Sequence, residues 1–195
     1  MIDFKQHTLA NGLRVLANRD ECSGMAAVNI LYAVGSADES AERTGFAHLF
    51  EHLMFRGTSA VPSYDTPVQE VCGENNAFTN NDYTDFYITL PKENIETAFW
   101  LESDRMVNLN LTEESLNVQR NVVAEEFKQR VLNKDYGDSA AIYRKLAYKR
   151  HPYRITTIGE KLSHIYDAQL CDVIYYYKRY YAPNNAILSV VGNIS

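Results

Sequence analysis

His48, Leu49, Phe50, Glu51 and His52 place two imidazoles four positions apart with a carboxylate between them. On an α-helix residues i and i+4 stand one turn apart on one face, so both rings reach a single ion, and Glu51, three residues after His48, shares that face. The spacing describes a metal site that carries its own base. Catalytic sites built on such ligands usually take three protein groups and leave one position to water. Two histidines are one ligand short. His7, His151, His164, Cys22, Cys72, Cys171 and any carboxylate packed against this segment are candidates, and periodicity does not choose among them. His151, before Pro152 and Tyr153, reads as a solvated loop histidine.

The motif needs a helix beneath it, and the flanking pattern supplies one. Phe46, Leu49, Leu53 and Met54 form an apolar stripe at 3.6 spacing, with Thr44 placed to cap the start and Gly57 the end. Upstream, residues 4–10 and 13–18 are β-prone runs around Asn11-Gly12, the signature of a two-residue hairpin turn. Val28, Ile30, Tyr32 and Val34 alternate with Asn29, Leu31 and Ala33 as in a half-buried strand. Downstream, helix is expected over 66–71, 92–107, from Thr112 to Val131 or beyond, over 139–148 and over 167–181. Strands are expected over 77–79, 86–90 and 186–191. Leu170, Val173, Ile174, Tyr177 and Tyr181 form a core stripe, which assigns the tyrosine-rich segment to packing. The pattern predicts an α+β fold, a mostly antiparallel sheet with helices packed on one face, as one domain over 1–195.

The chain has 195 residues, 46% of them hydrophobic, enough for a core without metal or disulfide staples. A formal charge of -6 with scattered Lys and Arg excludes a nucleic-acid footprint. No run approaches the ~18 apolar residues of a membrane span. Three distant cysteines without a C-x-x-C pair read as reduced thiols, hence a cytoplasmic protein, or a periplasmic one if an export signal preceded Met1.

The order H-x-x-E-H inverts the commoner H-E-x-x-H zinc peptidase signature. With TGFAHLFEHLMFRGT, GENNAFTNNDYTDFYITLP, WLESDRM, QRNVVAEEF, HPY and RYYAPNNAILSVVGN in order through almost the whole chain, the sequence resembles the N-terminal domain of the inverzincin metallopeptidases. This is the family of pitrilysin, insulin-degrading enzyme and the mitochondrial processing peptidase. The resemblance implies one Zn2+ per domain, held by His48, His52 and a glutamate on a later helix. The family's E-R-x-x-V-x-x-E register, begun at Gln119, lands on Glu126, and only that register demotes Glu125. Glu126 is expected on a core-facing side with Gln119, Val122 and Val123. Glu51 would take a proton from the zinc-bound water and pass it to the departing amine. Asn76, Ala77 and Phe78 resemble the edge to which the family's peptide substrates add as a strand, with Phe78 offering an apolar surface.

The implied function is a zinc endopeptidase acting on peptides or unfolded segments. The resemblance also implies a second related domain that completes the enzyme, expected beyond Ser195 in the same chain or on a partner subunit, and a dimer; alone, this piece is expected to bind zinc and cleave poorly. The alternative is a non-catalytic zinc-binding scaffold or partner subunit. The sequence departs from the family pattern at Gln119, where many members carry glutamate, which makes the site less negative. At Cys72, where many carry glycine, a small buried residue is expected.

Overall fold

The computed structural model describes residues 2–194. Strands β1 (Lys5–Thr8), β2 (Arg14–Arg19) and β3 (Met25–Tyr32) precede helices α1 (Phe46–Leu53) and α2 (Asp65–Glu70). The hairpin β4 (Glu74–Thr79) and β5 (Thr84–Pro91) follows, then α3 (Ile95–Asn108), α4 (Glu113–Phe127), α5 (Ser139–Ala147), α6 (Leu162–Tyr166), α7 (Leu170–Tyr180) and β6 (Ala186–Gly192). The six strands form one sheet in the order β1-β2-β6-β3-β5-β4. The β2–β6 pair is parallel and the other pairs are antiparallel, which leaves β4 on an outer edge.

Alternation decides which face the helices cover. Val28, Ile30 and Tyr32 of β3 and Phe86, Ile88 and Leu90 of β5 are buried, while Asn29, Leu31 and Tyr87 point to the more open side. Helix α1 lies over the buried face with Leu49, Phe50 and Leu53 wholly enclosed. Each such side chain stabilises the fold by roughly 1.5–3 kcal/mol. Leu116 and Val123 of α4 and Val173 and Tyr176 of α7 join the same cluster, so α1 is held between sheet and helices. The fold is α+β with its helices on one face, as expected.

Local details differ from the sequence expectations for physical reasons. The first hairpin turns through three residues, because Gly12 alone takes a left-handed φ of 89° and its N–H bonds back to Leu9 O at 2.9 Å. Thr44 does not cap α1. Gly45 occupies the N-cap with φ 85°, where a Cβ would sit 2.8 Å from Ile158 O, and the N–H groups of Gly45 and Ala47, which have no acceptor within the helix, donate to the Glu39 carboxyl at 2.8 and 2.7 Å. Thr44 Oγ1 instead accepts from Glu160 N at 2.9 Å. Helix α4 continues beyond Phe127 as a π-turn over Lys128–Leu132. The segment 167–181 begins as helix only at Leu170, and α6 before it was not foreseen. Tyr176, buried where Ile174 was expected, packs with Phe46, Phe50 and Tyr181, which keeps the tyrosine segment a core element. Cys72 is exposed and left-handed, φ 58°, because it ends the turn after α2; it is not the buried residue expected.

Candidate metal centre

The apolar stripe that buries α1 also sets the direction of its polar residues. With Leu49, Phe50 and Leu53 facing the core, His48 and His52 emerge on the side toward α4, their rings 4.8 Å apart and nearly perpendicular. Helix α4 starts on a capping box in which Thr112 and Ser115 exchange side-chain to backbone bonds. Its buried Leu116, Gln119 and Val123 then fix its rotation. Glu126, one turn beyond Val123, reaches both histidines: its Oε2 lies 3.1 Å from His48 Nε2 and 3.3 Å from His52 Nε2. One donor atom from each of the three falls within 4.8 Å of the others.

These separations fit a zinc ion. Ligands at 2.0–2.2 Å from tetrahedral zinc lie about 3.4 Å from one another, so the carboxylate-to-imidazole edges match such a polyhedron. Two imidazoles and a carboxylate are also a donor set that catalytic zinc uses. Glu125 projects outward and pairs with Lys128 at 2.6 Å, away from the histidines. Val122 is half exposed, a correction to the expected core face; α4 turns its Gln119 and Val123 side inward instead.

The surrounding contacts hold the donors in place. Glu51 Oε2 is 3.6 Å from His48 Nδ1 and accepts a hydrogen bond from Thr79 Oγ1 at 2.5 Å. The second oxygen of Glu126 pairs with Arg130 Nη2 at 2.7 Å. Burial disfavours a charged His48, but hydrogen bonds to Glu126 and Glu51 outweigh it and raise its pKa to about 9. Burial likewise pushes Glu51 up, and the bonds from His48 and Thr79 outweigh it, leaving it below the ordinary carboxylate value. Glu126 is held far below that value by hydrogen bonds from His48 and His52. The two carboxylates therefore create a field that favours positive charge between them, which a divalent cation satisfies as well as a proton does.

Gln119 is buried and lines a small cavity with Glu51 and His52. Asn76, Ala77 and Phe78 lie on the outer strand β4, whose far edge has no partner strand among the described residues. The Ala77 N–H donates to the Asn76 side chain at 2.8 Å, which satisfies that one backbone group from within the strand. Ala77 and Thr79 face the α1 side, whereas Phe78 is exposed on the opposite face beside Tyr83. His151 lies against Tyr148 and edge-on to Tyr153, and it is not among the clustered donors His48, His52 and Glu126. Thr79 and Arg130 were missed from sequence. Arg130 had a signal, its i+4 spacing from Glu126; Thr79 reaches Glu51 only through the packing of β4 on α1.

The profile of a family described as insulinase, peptidase family M16, matches residues 14–159. The zinc protease PqqE of Helicobacter pylori is 35% identical over 191 residues, covering 96% of this chain and 43% of that protein. A crystal structure of a protease from Helicobacter pylori superposes with a TM-score of 0.95 at 35% identity, over 99% of this chain and 47% of the other. The periplasmic protease PqqL of Escherichia coli shares the fold, with a TM-score of 0.87 at 23% identity over 98% of this chain and 22% of its own. The chain thus spans less than half the length of the curated relative it matches. No helix among the described residues is long and apolar enough to cross a membrane.

Proposed function

The chain belongs to the insulinase family, peptidase family M16, and from that membership we propose that it is a zinc-dependent endopeptidase domain acting on peptides or unfolded segments. One observation carries the reading: His48 Nε2, His52 Nε2 and Glu126 Oε2 converge at 3.1 and 3.3 Å, with Glu51 beside them and held by Thr79. His48, His52 and Glu126 would hold one Zn2+. When bound there, zinc supplies Lewis acidity that makes water nucleophilic near pH 7 and polarises a carbonyl.

This chain's residues do the rest. Glu51, kept ionised by its neighbours, accepts the proton of the attacking water and delivers it to the departing amine nitrogen, while its Oε2 takes the Thr79 hydrogen bond. Thr79 fixes that oxygen, and Arg130 keeps Glu126 ionised and turned toward the histidines. A peptide added to the free edge of β4 would replace the Asn76 side chain at the Ala77 N–H and run past Thr79 toward Glu51. Backbone pairing there gives affinity without a strict sequence requirement.

A second M16-like domain, in the same chain or a partner subunit, would close over the peptide and complete stabilisation of the oxyanion. The three free, exposed cysteines favour a reducing compartment. The test is zinc content together with hydrolysis of an unstructured peptide, measured on this chain alone and joined to a second M16 domain. Stoichiometric zinc, and cleavage abolished by chelator and by Glu51→Gln, is the expected result. Zinc binding without cleavage in the joined form would favour the scaffold alternative, and absence of zinc would reject both.

A further inference from the structure

Beyond the metal donors, a cavity of about 520 Å³ opens between the π-turn after α4, helix α5 and the segment 154–160. Its floor is apolar, with Phe127 and Ile158 both buried. Its walls carry four basic side chains, Arg130, Arg144, Lys145 and Arg154, against the acidic Asp138 and Glu160, in a chain whose net charge is -6. Glu160 is already engaged by Lys145, and Asp138 is an exposed residue at the start of α5. Arg144 is fixed by three neutral acceptors, Asn81 Oδ1 at 2.9 Å, Tyr153 O at 3.1 Å and Ile155 O at 3.2 Å, all on Nη1. Neither Arg144 nor Arg154 has a carboxylate within salt-bridge reach among the described residues. A preorganised guanidinium with free N–H donors beside an apolar floor is a carboxylate receptor.

The position of the cavity says whose carboxylate. Arg130 bridges its wall to the Glu126 carboxyl, and Arg144 grips Asn81 in the turn that follows β4. The cavity therefore lies at the end of the metal centre toward which the β4 edge runs. We propose that it is a specificity subsite for an acidic side chain of the peptide, within about three residues of the scissile bond at roughly 3.3 Å per residue of strand. The inference rests on the reading that the peptide adds to β4.

The test separates the two. Fluorescent ten-residue peptides carrying a single Glu, Gln or Lys at each position in turn are titrated into the zinc-loaded Glu51→Gln protein, which binds without cleaving. At one or two adjacent positions Glu is expected to bind about tenfold more tightly than Gln, the gain from one charge-assisted bond, with Lys weaker still. Arg154→Gln and Arg144→Lys, each checked for unchanged zinc content and melting temperature, should reduce that preference to within about twofold. Binding with a flat profile, or a preference surviving both variants, overturns the subsite while leaving strand addition intact. No binding by any peptide overturns strand addition and the subsite with it.

Discussion

Replacing Glu102 by Gln should destabilise the chain by about 3–5 kcal/mol, the cost of leaving one member of a buried ion pair without its partner. Arg105 is 1% exposed and Glu102 3%. Arg105 Nε and Nη2 donate to the two carboxylate oxygens at 2.7 and 2.6 Å, and Tyr64 OH donates to the same carboxylate at 2.6 Å. The guanidinium lies 4.4 Å from the Phe86 ring centroid and 4.5 Å from that of Tyr64, while its Nη1 finds no protein partner. Burial alone would drive Arg105 toward its neutral form, and the Glu102 charge outweighs it and raises its pKa. Without that charge the cation stays among aromatic rings and the whole desolvation penalty appears. For a domain of this size the loss corresponds to a melting temperature lower by roughly 10 °C. Urea unfolding of the zinc-free chain at pH 7, followed by far-ultraviolet circular dichroism, measures it. The Glu102→Gln/Arg105→Met double variant should lose clearly less than the sum of the single variants, because no buried charge is left alone. A loss below about 1 kcal/mol for Glu102→Gln, or full additivity in the cycle, would refute the reasoning.

Glu126→Gln should weaken zinc binding by at least about 100-fold while Glu125→Gln leaves it within about twofold, read by competition with a chromogenic chelator; equal effects would remove Glu126 from the ligand set. Gln119→Glu places a second carboxylate beside His52 and Glu51 and should tighten zinc by about tenfold in the same assay. Burial pushes the Glu39 carboxyl from 4.5 up to about 8, against the backbone N–H groups that donate to it. A group that binds its proton more tightly folded than unfolded contributes stability that is full below pH 4.5 and is lost as pH rises through about 8. Urea midpoints from pH 4.5 to 8.5 should therefore fall more for the wild type than for Glu39→Gln, and parallel curves would contradict this.

Spacing in the sequence was enough to put His48, Glu51 and His52 on one helical face, because that relation is intrinsic to 3.6 residues per turn and needs no other part of the chain. Alternation in β3 and β5 determined the buried face of the sheet for a similar local reason. The family register singled out Glu126, although neighbouring Glu125 has the same chemistry. What only the tertiary structure decided depends on elements distant in sequence. Strand β6 enters between β2 and β3 and leaves β4 at the edge, and the packing of α4 on α1 turns Val123 inward and Val122 outward. The packing of β4 on α1 brings Thr79 to Glu51 across 28 positions. At the start of α1, Glu39 supplies the capping group in place of Thr44, since the left-handed Gly45 turns the Thr44 hydroxyl toward Glu160. Helical and strand periodicity records which face a residue occupies, but the partner that meets that face is set by how the elements pack.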